Sequence, residues 1–115
     1  MATYEEMLQT ELQEGESVIK QQAGDCWQYV GIFGSQLRGR FFFTQKRIIF
    51  YYCLKKNFEI FYEDIESVEL CNVGGIIRFV PTGIKVNTKD GKSTYLSVMK
   101  RDEYKELIEQ NMKAV

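Results

Sequence analysis

The hydrophobic pattern changes period twice along this chain. Near the start, Tyr4, Met7, Leu8 and Leu12 fall on one helical face, and Thr3 followed by Glu6 has capping-box spacing. A short amphipathic helix is predicted there, ending by Gly15. From Glu16 onward the pattern is that of strands. Ser17 to Tyr29 is rich in β-formers, with a bend expected at Gly24-Asp25. Glycines bracket Gly31-Ile32-Phe33-Gly34-Ser35-Gln36, which predicts a loop. Arg38 to Thr44 and Arg47 to Leu54 are aromatic or β-branched runs split by Gln45-Lys46, the mark of a tight hairpin. Lys55-Lys56-Asn57 is the predicted turn into Phe58 to Tyr62, and Glu66 to Asn72 alternates as a strand. A looser connection runs from Asn72 to the only proline, Pro81. Ile84 to Thr88 and Ser93 to Val98 then flank Asp90-Gly91, a strong hairpin dipeptide. The period becomes helical again where Tyr104, Leu107, Ile108 and Met112 share a face.

About seven short strands between two terminal helices expose two sheet edges unless they curl into a barrel or sandwich. The chain has 115 residues, 44% hydrophobic and 27% charged. That predicts one globular domain over residues 1–115, with 1–14 a helical N-terminal extension. The net charge of −1 gives the whole molecule no attraction for polyanions. It is unevenly spread: Arg38, Arg40, Lys46, Arg47, Lys55 and Lys56 lie in an acid-free block, and Glu59, Glu63, Asp64, Glu66 and Glu69 in a base-free one. Neighbouring strands that carry such blocks neutralise each other. Three cysteines without CxxC spacing fit reduced thiols in a cytoplasmic protein. The acidic N-terminus lacks a signal-peptide core, and no apolar run approaches the ~20 residues that span a bilayer.

Gly15-Glu16, Phe42 to Phe50, Tyr62 to Val68, Pro81 to Lys92 and Arg101-Asp102-Glu103, taken in this order, resemble the GRAM and bacterial PH-like branch of the pleckstrin-homology superfamily. Gly15-Glu16 precedes the first strand, and Phe42 to Phe50 (FFTQKRIIF) resembles that group's strand–Thr–turn–Arg–strand hairpin. Tyr62 to Val68 (YEDIESV) resembles its corner motif, and Pro81 to Lys92 resembles its last hairpin. Arg101-Asp102-Glu103 opens a helix where the family has one. The match runs from Gly15 to Met112. It implies a seven-stranded bent β-barrel of two near-orthogonal antiparallel sheets, capped by the C-terminal helix. It does not imply one activity, because function on such folds belongs to the site.

Catalysis has little to work with. The absence of histidine removes Ser-His, Cys-His and His-metal chemistry, and no glycine series matches a phosphate-binding loop. No catalytic residue, metal ligand or cofactor is expected. Glu63-Asp64 lacks a partner base and reads as a corner, with Asp64 accepting main-chain N–H bonds while Ile65 and Val68 pack inward. Nucleic acid is not an expected partner: RGRFFF has Arg40 where the RNA-recognition signature needs an aromatic.

Two binding readings remain. Lys20 with Arg38 and Arg40 resembles the "K…R-x-R" cluster of phosphoinositide-binding PH domains, at a longer spacing, and Ile32-Phe33 sits at the predicted loop tip, where it can dip into a membrane. Three such cations contribute ~1 kcal/mol each at an anionic leaflet. Two buried apolar side chains add ~1.5–3 kcal/mol apiece before association costs. That sum describes weak, reversible attachment peripheral to the membrane. The favoured reading is a non-catalytic module for protein–protein interaction or self-association as a homo-oligomer. Its candidate surface is Ile76, Ile77 and Phe79, unusually apolar for a connection, together with the sheet edges and the N-terminal helix.

Overall fold

The computed structural model describes residues 3–115, which form two helices and seven strands. In chain order these are α1 (Tyr4–Glu11), β1 (Val18–Val30), β2 (Phe33–Thr44), β3 (Arg47–Tyr52), β4 (Lys55–Phe61), β5 (Ile65–Val73), β6 (Val80–Thr88), β7 (Ser93–Ser97) and α2 (Arg101–Ala114). One 3-10 turn, Tyr62–Asp64, joins β4 to β5. All pairings are antiparallel, in the order β4-β3-β2-β1-β7-β6-β5. The expected pair of sheets is therefore one continuous bent sheet, with β4 and β5 as its unpaired edges. α2 packs against β5, β6 and the 3-10 turn.

Local chemistry fixes each junction. The Thr3 hydroxyl accepts the Glu6 N–H at 3.1 Å, capping α1. At the β2–β3 turn the Thr44 hydroxyl accepts the N–H groups of Lys46 and Arg47 at 3.1 and 3.0 Å. The Tyr62 hydroxyl donates to the Thr44 carbonyl at 2.8 Å, binding the 3-10 corner to that turn. Asp64 serves the corner through its main chain: its carbonyl, not its carboxylate, accepts the Lys89 N–H at 2.9 Å. Pro81 is tolerated in β6 because the ladder to β7 starts later, at Gly83.

Two predicted boundaries differ. Ser35 and Gln36 are strand, and the loop predicted over residues 31–36 contracts to a two-residue turn, Gly31-Ile32, with Val30 opposite Phe33. The β3–β4 turn is Cys53-Leu54, and Lys55 to Asn57 belong to β4. Cys53 and Leu54 hold positive φ values of 50° and 62°, which a sequence without Gly or Asn there does not announce.

Alternation along β2 and β3 builds two apolar layers. Phe41, Phe43, Ile48 and Phe50 face the barrel interior with Ile60, Tyr62, Leu96, Tyr104 and Ile108. Phe42, Ile49 and Tyr51 face outward, where Leu8 of α1 covers them. Residues on both sides of this ribbon are therefore solvent-free, each worth ~1.5–3 kcal/mol of burial.

Candidate functional site

The β1–β2 ribbon extends past the body of the sheet, and the β5–β6 loop folds back onto it. The Gly34 N–H donates to the Gly75 carbonyl at 2.9 Å, and the Gly74 N–H donates to the Tyr29 hydroxyl at 3.2 Å. A β-carbon on Gly34 would sit 2.6 Å from Tyr29 Cε1 and 2.7 Å from the Gly74 carbonyl, so only glycine admits this approach. The loop's Arg78 lays its guanidinium over the Tyr29 ring, 3.6 Å from the centroid. Tyr29 in turn meets Trp27 in a stack and Tyr95 edge-on, with centroids 6.3 and 5.0 Å away.

This folding brings together two groups that the sequence leaves apart. Ile32 and Phe33 at the β1–β2 turn, and Ile76, Ile77 and Phe79 on the β5–β6 loop, are each more than 60% exposed. Val30 and Met99 are also exposed. Beside them lies a cleft of about 650 Å³, walled by Trp27, Val73, Ile77, Phe79, Val80 and Met99, with Asp25, Gln36 and Arg38 contributing polar atoms. The Trp27 Nε1 is buried without a hydrogen-bond partner. A gathering of large apolar side chains at one end of a domain is the form a docking surface takes.

The three candidate cations do not converge. Lys20 lies opposite Phe43 in the register, which sends it to the inner face, where it pairs with Glu103 at 3.5 Å and sits 4.9 Å from the Tyr104 ring centroid. Arg38 and Arg40 project from the other face, with Phe42. Arg38 donates to Asp25 at 3.1 Å, and Arg40 donates to Gln21 at 3.2 Å. Only Arg38 reaches the apolar cleft. Arg38 and Arg40 together line a second hollow of about 510 Å³ beside Tyr4 and Glu5 of α1, without Lys20.

The most elaborate charged cluster is a tie for α1. Arg47 is 2% exposed; its Nε and Nη2 donate to Glu16 at 2.9 and 3.0 Å, its Nη1 to Glu11 and Glu59, and its Nη2 also to the Glu11 carbonyl. Lys56 bridges Glu11 and Glu59 at 2.7 and 3.0 Å. Burial alone would raise the Glu16 carboxyl; bonds from Arg47, the Gln13 N–H and Thr44 outweigh it and hold the carboxyl below its ordinary value. The hydrogen bond from Lys56 lowers Glu11 likewise, with Arg47 assisting. Every Arg47 side-chain donor has an acceptor, so the cluster reads as a structural tie. Among the described residues no group of three or more acidic or cysteine side chains is placed to hold a metal.

Neither a family model nor a curated protein matches the sequence. Solved structures do match the fold. The C-terminal domain of an unknown protein from Leishmania infantum superposes with a TM-score of 0.63 at 22% identity, over 86% of this chain and 87% of that one. The truncated linker-DH/PH domains of p115-RhoGEF give 0.65 at 6% identity, covering all of this chain but 35% of the larger one. The hSac2 domain of the human phosphoinositide phosphatase Sac2 gives 0.62 at 12% identity, over 99% of this chain and 85% of that one.

The fold is PH-like. At these identities the likeness concerns architecture, and the chemistry has to come from the PH-like chain itself. Trp27, Tyr29, Arg78, Tyr95 and Met99 are the residues that sequence reasoning passed over. The aromatics Trp27 and Tyr29, two apart on one strand, were the legible sign of an outward aromatic face. None of the described helices is long and apolar enough to cross a membrane.

Proposed function

We propose that this PH-like chain is a non-catalytic binding module that docks another polypeptide at its apolar end. The supporting observation is the junction of Gly34 with Gly75, which brings the turn bearing Ile32 and Phe33 to the loop bearing Ile76, Ile77 and Phe79, the last two of which line a cleft. On this reading the working location is the cytoplasm, and the GRAM-like strings favour that branch of the superfamily. A photo-crosslinking residue at Phe79 or Ile32, introduced in the native cells, should yield a discrete protein adduct, and one at the exposed Lys113 should not. Failure of both apolar positions to capture any polypeptide would refute the reading.

The second reading, anionic-lipid recognition, draws support from the exposed Arg38, which lines the same cleft. The separation of Lys20 from Arg38 and Arg40 weakens it, leaving no three-cation head-group site. Flotation with phosphatidylserine vesicles at two salt concentrations separates the readings. Lipid recognition requires salt-sensitive binding that the Arg38→Glu/Arg40→Glu variant loses.

A further inference from the structure

Resting on the docking surface proposed above, we infer that its occupant is an acidic, apolar segment of a partner protein, and that Arg78 receives the carboxylate. The face of the guanidinium is already committed, lying 3.6 Å from the Tyr29 ring centroid and 5.6 Å from that of Tyr95. Its in-plane N–H donors are not. Among the described residues Arg78 makes no ion pair, and none of its nitrogens has a hydrogen-bond acceptor. A planar fork held flat on an aromatic ring, with its edges free, loses little rotamer freedom on gripping a carboxylate.

The neighbours of Arg78 in the chain, Ile77 and Phe79, both wall the cleft. Arg78 itself does not line the cleft; a carboxylate on its guanidinium sits beside the apolar socket, linked to it through Tyr29 and through Trp27, which lines it. The surrounding charge agrees. Lys85, 6.0 Å from the Tyr95 ring centroid, also has no ion-pair partner among the described residues. Of the nearby acids, Asp25 already accepts bonds from Gln36 and Arg38, and Glu69, opposite Lys85 in the ladder, accepts one from Asn87. A second copy docked face to face about a two-fold axis would set Arg78 and Lys85 near their own equivalents, so charge favours an acidic partner over self-pairing.

Panning a random dodecapeptide phage library on the full chain, then measuring the selected synthetic peptides by fluorescence anisotropy, tests this. Selected peptides should carry Asp or Glu next to Leu, Ile or an aromatic. Arg78→Gln should weaken them about ten- to a hundredfold, and Arg78→Lys, which keeps the charge and loses the fork, by less. Phe79→Ser should abolish binding. Peptides without acidic enrichment, or bound equally by Arg78→Gln, overturn carboxylate recognition. If those same peptides still need Phe79, the docking surface stands without it; if they are indifferent to both residues, the docking surface falls too. An empty selection, combined with Arg78-dependent flotation on phosphatidylserine vesicles, would replace the acidic segment with a membrane and likewise overturn the inference. Arg78 is exposed, and circular dichroism on each variant confirms that the fold is retained.

Discussion

The main-chain N–H of Gly34 and the carbonyl of Gly75 meet at 2.9 Å, and that bond makes a single surface out of a hairpin tip and a distant loop. A methyl at position 34 has to displace the Tyr29 ring or the Gly74 carbonyl. Gly34→Ala should therefore lower stability by ~1–3 kcal/mol in urea unfolding, as overpacking does. Hydrogen exchange across residues 74–79 should rise with it. Gly31→Ala is the control: its φ is +61° but nothing lies within 4 Å, so only the backbone strain of about 1 kcal/mol applies, without a change in loop exchange.

Leu8 is the one fully buried residue of α1, and it rests on Phe42, Ile49 and Tyr51. Leu8→Ala should cost ~2–5 kcal/mol. Deleting residues 1–12 should uncover that outward layer and produce binding of a hydrophobic dye. If the truncated chain stays monomeric, dye-free and equally stable, α1 is a dispensable extension and not part of the core.

Alternation and turn chemistry made most of this architecture legible. Thr44 to Arg47, Asp90-Gly91 and the helical face of Tyr104, Leu107 and Ile108 each carry a local cause for the structure they adopt. What the sequence concealed depends on contacts between distant segments. Gly34 resembled loop punctuation, but it is a strand residue made small by the arrival of Gly74 and Tyr29. Lys20 seemed a partner of Arg38 and Arg40, yet the continuous β1–β2 register sets it opposite Phe43 and so on the other face. Ile76, Ile77 and Phe79 were visible as an apolar run, but no periodicity could join them to Ile32 and Phe33. Arg78 was hidden for a related reason: its role depends on a ring in another strand.

The three thiols should separate by reactivity. Cys26 is buried, and burial pushes its pKa up to about 11. Cys71 is half-buried, with its thiol also raised by burial, and Cys53 lies exposed at the β3–β4 turn. With a disulfide reagent at pH 8, Cys53 should react first and Cys71 more slowly. Cys26 should react only at the rate of unfolding. Fast modification of Cys26 in the native protein would contradict the packing of Phe41 and Leu96 around it.

The Glu16 side chain is inaccessible to solvent and is held by Arg47, which makes its charge state a matter of stability. Its folded carboxyl, like that of Glu11, titrates below the ordinary glutamate value of ~4.3. The unfolded chain therefore takes up these protons first as pH falls. The stabilisation is complete above about pH 5 and is lost as pH drops through the unfolded value toward the lower folded ones. Urea midpoints should be flat from neutrality to about pH 5 and fall below it, less steeply in Glu16→Gln. Removing the cation instead strands a buried carboxylate, so Arg47→Met should cost ~3–5 kcal/mol at neutral pH. Arg47→Met combined with Glu16→Met should recover part of that loss, since the pair also carries the cost of its own desolvation. If the double variant proves as unstable as the sum of the two singles, the tie between the α1–β1 connection and the sheet does not run through this pair.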